Sequence, residues 1–93
     1  MPTIDEIRNL LLNEPGDVFL NYSLAMLQKK EGLDKEALVS FDRCIELDPD
    51  YIAAWFHKGM FLAGLGEVEK AKIVLEAGIV RARGCGDEHA LGE

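Results

Sequence analysis

The stretch that decides the fold is residues 51–79, YIAAWFHKGMFLAGLGEVEKAKIVLEAGI, which has a counterpart 34 residues earlier in residues 17–45, DVFLNYSLAMLQKKEGLDKEALVSFDRCI. At this offset small residues coincide with small residues, and large apolar residues with large apolar ones. The matched pairs are Pro15 with Pro49, Ala25 with Gly59, Gly32 with Gly66, Ala37 with Ala71, Phe41 with Leu75, and Ile45 with Ile79. A fixed period of this length indicates a tandem structural repeat.

In each repeat, apolar residues recur at helical spacing, and this pattern predicts two helices per repeat. The predicted first helices cover about 17–31 and 51–64, and the second helices about 35–47 and 67–82. Gly32 and Gly66 stand where a helix ends and the chain turns. Asp34 is the predicted N-cap of the helix that follows Gly32. The predicted inward residues are Leu20, Leu24, Leu27, Ala37, Leu38, Phe41, Cys44 and Ile45 in the first repeat, and Trp55, Leu62, Ala71, Leu75, Gly78 and Ile79 in the second.

The segment 3–14 predicts an additional N-terminal helix. Ile7, Leu10 and Leu11 fall where Phe41, Cys44 and Ile45 stand one period later, so this segment has the pattern of a second helix from an earlier repeat. Thr3 and Glu6 have the spacing of a capping box. We therefore expect one domain over 1–93, with a helix in 3–14, repeats at 18–51 and 52–84, and a tail at 85–93.

These positions resemble the tetratricopeptide repeat, a 34-residue helix–turn–helix unit with Trp at its fourth position, Gly at its eighth, Ala at its twentieth and Pro at its thirty-second. The second repeat carries Trp55, Gly59, Leu62, Ala71, Leu75 and Gly78, and the first carries Leu24, Ala25, Ala37, Phe41 and Pro49. Asn21 and Gln28 replace the usual Trp and Tyr. The resemblance implies an all-α fold, a right-handed α-α superhelix (solenoid) of two repeats with an N-terminal capping helix.

Charge and composition exclude several classes of partner. Ten Lys and Arg residues against 17 Asp and Glu residues give a net charge of −7, which argues against binding to nucleic acid or an anionic membrane. No 18-residue apolar run is present, and the N-terminal residues MPTIDEIRNLLLNEP do not have the pattern of a signal peptide. Two cysteines without CxxC spacing favour a reducing, cytoplasmic location.

The sequence offers no constellation typical of catalysis. Cys44 lies within an apolar helical pattern, which predicts a buried thiol, and Cys85 is expected to be exposed. His57 and His89 lack a Cys or His at metal-ligand spacing. We therefore expect a non-enzymatic protein with no catalytic residue, no cofactor and no metal.

The family resemblance implies a protein-interaction module that binds peptides on the concave face of its first helices. The ligand-facing positions are Phe19, Tyr22, Met26, Lys29 and Lys30, then Ala53, Phe56, Met60, Ala63 and Gly64. Aromatic and methionine side chains in this set predict an apolar or amphipathic peptide, with the two lysines able to pair with a ligand carboxylate. For Phe19 and Phe56 a place in the core between repeats fits equally well. Tyr22, Met26 and His57 stand where the family's two-carboxylate clamp would need Lys, Asn or Arg, so clamp-type chaperone binding is not expected.

A structural, self-associating role is the alternative. Val39, Arg43 and Glu46 form the outward stripe of one second helix, and one period later that stripe is apolar. Its members are Ile73, Ala77 and Val80. Either the tail covers this stripe with Ala90 and Leu91, or a second molecule does, or the residues are tolerated surface hydrophobes. Two apolar side chains in the tail are few, which favours a homodimer.

Overall fold

The structure, a computed structural model, describes residues 2–84, and that range contains five α-helices and no strand. The helices are α1 (Ile4–Asn13), α2 (Val18–Lys30), α3 (Asp34–Leu47), α4 (Ile52–Gly64) and α5 (Val68–Gly84). The chain divides into two compact units, with the boundary between Asp48 and Pro49. The expectations for Cys85, His89, Ala90 and Leu91 lie outside the described residues.

The helices α1 and α2 begin at side-chain caps. The Thr3 hydroxyl accepts a hydrogen bond from the Glu6 amide at 3.2 Å, and the Thr3 amide donates to Glu6 Oε1 at 3.3 Å. The predicted capping box is therefore confirmed. At the start of α2, Asp17 Oδ1 accepts from the Leu20 amide at 2.9 Å.

The prediction that Asp34 caps α3 is wrong. Leu33 is the N-cap, and it makes no side-chain cap hydrogen bond. The Leu33 amide is bonded to the Gln28 carbonyl at 2.9 Å in the preceding turn, so only one residue separates Gly32 from the helix. Asp34 is consequently in the first turn of α3. There its negative carboxylate interacts favourably with the positive end of the helix dipole.

Glycines end both first helices, as their spacing predicts. Gly32 has φ +79° and Gly66 has φ +84°, the left-handed conformation that glycine adopts without strain. After α2, the Gly32 amide bonds to the Lys29 carbonyl at 3.1 Å, alongside the Leu33 bond to Gln28. The same two bonds recur after α4, from the Gly66 amide to Ala63 and from the Glu67 amide to Leu62. This pattern is the Schellman motif, and it reverses the chain into α3 and into α5.

The core of the first unit has two parts. Between α2 and α3, four side chains have no solvent exposure: Ala25, Ala37, Phe41 and Cys44. Between α1 and α2, the buried residues Ile4, Ile7 and Leu27 form a cluster, and Leu11, Leu20 and Leu24 pack against it. Leu20, Leu24 and Leu27, the predicted inward leucines of α2, therefore face α1. The helix α1 is consequently part of the core of this unit.

In the second unit, two glycines let α4 and α5 approach closely. A Cβ atom at Gly59 would lie 2.5 Å from Leu75 Cδ2, and one at Gly78 would lie 2.8 Å from Trp55 Cβ. Leu75 therefore packs over Gly59 and Trp55 packs over Gly78, and neither glycine has a side chain.

The two repeats share one hydrogen bond, and a different side chain donates it in each repeat. Trp55 Nε1 donates to the Pro49 carbonyl at 2.8 Å, and 34 residues earlier Asn21 Nδ2 donates to the Pro15 carbonyl at 3.1 Å. Asn21 is buried, and its side-chain amide is satisfied by this bond and by a second one to the Asp17 carbonyl at 2.8 Å. The residue that departs from the family pattern thus supplies the bond that the usual Trp would make.

Candidate functional site

An apolar cleft of about 470 Å³ lies between α1 and α2. Its lining comprises nine residues: Pro2, Ile7, Leu10, Phe19, Leu20, Tyr22, Ser23, Met26 and Leu27. Phe19, Tyr22 and Met26, three side chains that the sequence predicts for ligand contact, therefore meet in one cleft. Only Ser23 and the Tyr22 hydroxyl contribute polar side-chain groups to it.

Local packing fixes the wall of this cleft that α2 supplies. The Tyr22 ring meets the Phe41 ring edge-on, with ring centroids 6.5 Å apart and an interplanar angle of 64°. Because Phe41 has no solvent exposure, this contact holds Tyr22 against a rigid part of the core. Met26 is half-buried, whereas the side chain of Phe19 is 65% exposed. Phe19 is therefore on the surface, not in the core.

The opposite wall belongs to α1, whose residues were not among the predicted ligand contacts. Ile7 is buried against Leu27, while Leu10 is 51% exposed. The signal for Leu10 was its spacing, because Leu10 stands 34 residues before Cys44, which lies on the inner face of α3.

The remaining predicted contact residues lie elsewhere. Lys29 and Lys30 are in the last turn of α2 and do not line the cleft. In the second unit, Phe56 is half-buried on α4, and Met60 is 68% exposed on the same helix.

On α5, the predicted apolar stripe is at the surface. Ile73 and Val80 are 67% and 66% exposed, and Ala77 is half-buried. One period earlier, on α3, Val39, Arg43 and Glu46 are also exposed. The two stripes thus share a position and differ in polarity.

The thiol of Cys44 is buried and unreactive. It has no solvent exposure and donates a weak hydrogen bond to the Val18 carbonyl at 3.7 Å. Burial raises the pKa of the Cys44 thiol to about 11, so it is protonated at neutral pH. A protonated, enclosed thiol is a poor nucleophile and a poor metal ligand.

Over residues 2–84, no group of three or more His, Cys, Asp or Glu side chains is arranged to hold a metal ion. Within the same range, every helix is too short or too polar to cross a bilayer.

Two family models, both described as tetratricopeptide repeat, match residues 20–51 and residues 40–73. Together they span more than half of the chain. The chain belongs to the tetratricopeptide repeat family. Members of this family generally mediate protein–protein interactions and bind protein partners, and they are generally not enzymes.

Two curated proteins are similar to this tetratricopeptide repeat chain. A TPR repeat-containing protein of Methanocaldococcus jannaschii is 36% identical over an alignment of 75 residues that covers 76% of this chain and 23% of that protein. A heat shock protein sti1 homolog of Schizosaccharomyces pombe is 34% identical over 62 residues, which is 67% of this chain and 10% of that protein. The chain therefore spans less than a quarter of the length of either relative.

Among solved structures, a crystal structure of MamA superposes with a TM-score of 0.85 at 17% sequence identity. The match covers 90% of this chain and 49% of the MamA chain. This likeness confirms the fold class, an all-α helical-repeat solenoid.

Proposed function

We propose that this tetratricopeptide repeat chain is a non-enzymatic interaction module that binds an apolar or amphipathic peptide segment in the cleft between α1 and α2. The observation that carries the proposal is the meeting of Phe19, Tyr22 and Met26 in one apolar cleft. An exposed aromatic ring in a preformed apolar cleft offers a large, rigid contact area for a partner side chain.

The lining favours apolar over ionic recognition. Its aromatic rings provide area at little cost in conformational entropy, and the Met26 thioether adapts to the shape of a ligand. On α4, Phe56 and Met60 have the same residue types, and we propose them for contact with the same class of ligand. Lys29 and Lys30, at the end of α2, would meet a ligand carboxylate.

The surroundings of the protein are part of the proposal. A net charge of −7 disfavours nucleic acid and anionic membranes as partners. Cys44 is a buried free thiol, which suits a reducing cytoplasm.

The variant Phe19→Ala tests the cleft more cleanly than Tyr22→Ala, because Tyr22 also packs on the buried Phe41 ring. Ligands would be selected from a displayed library of peptides of about 15 residues, long enough to form a helix. Their affinity for the full chain would be measured by fluorescence anisotropy. Loss of a central aromatic anchor typically costs about 2 kcal/mol, so Phe19→Ala should weaken binding about thirtyfold.

Leu12→Ala is the matched control. Leu12 is 81% exposed on α1 and does not line the cleft, so this variant should bind the selected peptides as the parent does. Equal affinities for the parent and Phe19→Ala would place the binding surface outside the cleft.

Self-association through α5 is a second candidate function. The exposed side chains Ile73 and Val80 carry it, since the same stripe on α3 contains Arg43 and Glu46. We propose a second copy of the chain as the partner. Pairing of two copies through α5 would cover the same exposed apolar stripe on both molecules. Molecular mass as a function of protein concentration tests this candidate.

A further inference from the structure

The exposed apolar stripe of α5 alternates large and small residues. Ile73, Ala77, Val80 and Gly84 follow one another at intervals of four, three and four residues, a spacing that keeps them on one face of the helix. Ile73 and Val80 are 67% and 66% exposed. Gly84 is also exposed, and a Cβ atom there would meet nothing within 4 Å. The stripe thus has two projecting side chains, each followed by a place where a neighbouring helix can come close.

Two identical stripes of this kind fit together when their helices run antiparallel. In that orientation Ile73 lies opposite the partner's Gly84, and Ala77 lies opposite the partner's Val80. Each layer of the contact then combines one large and one small residue, so the helices are evenly spaced. In a parallel pair each residue would meet its own copy. Ile73 and Val80 would then hold the helices apart and leave voids at the small residues.

The charged residues on one side of the stripe fit the same antiparallel register. Glu76 and Arg83 are separated by about two helical turns, too far for an ion pair within one molecule. Neither makes an ion pair within residues 2–84. Between antiparallel copies, Glu76 faces the partner's Arg83, and the two-fold symmetry forms this pair twice. Glu69 and Lys72 lie on the same side but precede Ile73, where the contact begins.

On the other side of the stripe, no like charges oppose each other in this register. Arg81 lies 3.6 Å from Asp50 of its own molecule, and it would face the partner's Val74, which is uncharged. Lys70 is paired with Glu67 at 3.8 Å. The charges of both sides are therefore compatible with the antiparallel contact.

We infer that two copies of this chain pair through α5 in an antiparallel, two-fold arrangement, with Ile73 over the partner's Gly84 and Glu76 beside the partner's Arg83. This inference rests on the second candidate function and specifies the orientation and register of its contact. The contact extends over about three helical turns, less than the roughly 1,000 Å² of a stable interface. The dimer is therefore weak and forms at high protein concentration.

Charge reversal tests the register. Glu76→Arg and Arg83→Glu each place like charges opposite each other at both symmetry-related pairs, so each should weaken self-association about three- to tenfold. The double variant exchanges the two charges, keeps the net charge of −7, and should associate as the parent does. An equimolar mixture of the two single variants should associate more tightly than either variant alone, because both pairs are again of opposite sign. Sedimentation equilibrium measures all four samples.

Glu46→Arg is the matched control, because Glu46 is exposed on α3 and has no ion pair within residues 2–84. It changes the net charge by the same amount as Glu76→Arg. The smaller net negative charge reduces repulsion between copies, so Glu46→Arg should associate at least as tightly as the parent. Only the local contact can make Glu76→Arg weaker.

Disulfide formation tests the orientation. Ala77→Cys and Val80→Cys would be made separately in a Cys85→Ser background, where Cys44 is the one other cysteine and has no solvent exposure. Position 77 meets position 80 in the antiparallel register, so oxidation of an equimolar mixture should mainly join the two variants to each other. In a parallel pair each variant would join to its own copy. Mass spectrometry distinguishes the products.

Failure of this inference can be distinguished from failure of the second candidate function. If the parent mass rises with concentration but Glu76→Arg and Arg83→Glu associate as tightly as the parent, the register is wrong. The antiparallel orientation is excluded if each cysteine variant joins to its own copy as fast as to the other variant. Self-association through α5 would stand in both cases. A parent mass of 10.3 kDa at every concentration overturns both proposals.

Discussion

The two repeats use different side chains for the same structural contact, and the clearest case is one buried pair. In the first unit, Ser40 donates to Gln28, and both residues are buried. In the second unit, the same two positions hold Leu62 and Val74. A fully bonded polar pair and an apolar pair of similar shape can be nearly equal in stability, whereas half of a polar pair leaves an unsatisfied group.

This comparison predicts the outcome of a double-mutant cycle. Gln28→Leu and Ser40→Val should each lower the free energy of unfolding by about 1–3 kcal/mol, because each leaves one polar group buried without its partner. The double variant, which reproduces the pair of the second unit, should recover most of that loss. Urea unfolding of the four proteins measures the coupling.

Val39→Ala is a suitable control for this cycle, since Val39 is 68% exposed on the same helix as Ser40. It should change stability by no more than about 0.5 kcal/mol. Additive losses in the double variant would show that the hydrogen bond and the apolar pair are not interchangeable.

At the scale of helices, the packing of α4 on α5 depends on residues without side chains. Gly78→Ala places a Cβ atom 2.8 Å from Trp55 Cβ, an atom close to the backbone that cannot rotate away. Alanine favours a helix over glycine by about 1 kcal/mol, but overpacking of this kind costs about 1–3 kcal/mol. Gly78→Ala should therefore lower the midpoint of thermal unfolding.

Gly64→Ala is the matched comparison for Gly78→Ala. Gly64 also lies in a helix, and a Cβ atom there would meet nothing within 4 Å. This variant should leave the midpoint unchanged or raise it, through the helix propensity of alanine alone. Equal effects of the two variants would mean that propensity, not the contact with Trp55, decides the outcome.

The ends of the helices were largely predictable from sequence, because local chemistry determines them. The capping box of Thr3 and Glu6 and the positive φ angles of Gly32 and Gly66 follow from residue type and spacing. Asp34 was not predicted correctly, since the Schellman turn after Gly32 leaves the cap position to Leu33. The preference of Asp for the N-cap position takes no account of the hydrogen bonds in the turn that precedes the helix.

The candidate cleft was only half predictable. Family positions on α2 pointed to Phe19, Tyr22 and Met26, which do line one cleft. The contribution of α1 depends on how far Leu10 remains exposed, and this follows from packing between helices that are separate in sequence. The burial of Gln28 likewise depends on its bond to Ser40, because hydrophobic periodicity gives no signal for a polar pair.

For the molecule as a whole, interaction surfaces are indicated by where the exposed apolar residues lie, and not by how many of them there are. The first unit has exposed Leu10 and Phe19 beside its cleft, and the second has exposed Ile73 and Val80 on α5. Contiguous exposed apolar side chains on a small protein typically mark interaction surfaces. Within residues 2–84, one surface of this kind is proposed for a peptide partner and another for a second copy.

The second surface leads to a prediction about molecular mass. If two copies pair through α5, the combined variant Ile73→Lys with Val80→Glu places charges in an apolar contact and should separate them. Sedimentation equilibrium should then show a concentration-dependent mass for the parent and a constant mass of 10.3 kDa for the variant. Because the contact is apolar, added salt should not dissociate the parent.

The repeat supplies a matched control for this experiment, because Val39 holds the position of Ile73 one period earlier and is equally exposed. Val39→Lys adds the same charge at the same register to a helix whose outward stripe is already polar. It should therefore leave the mass of the parent unchanged. Dissociation by Val39→Lys would assign the contact to α3, and a parent mass that stays at 10.3 kDa at every concentration would exclude the second copy as the partner of α5.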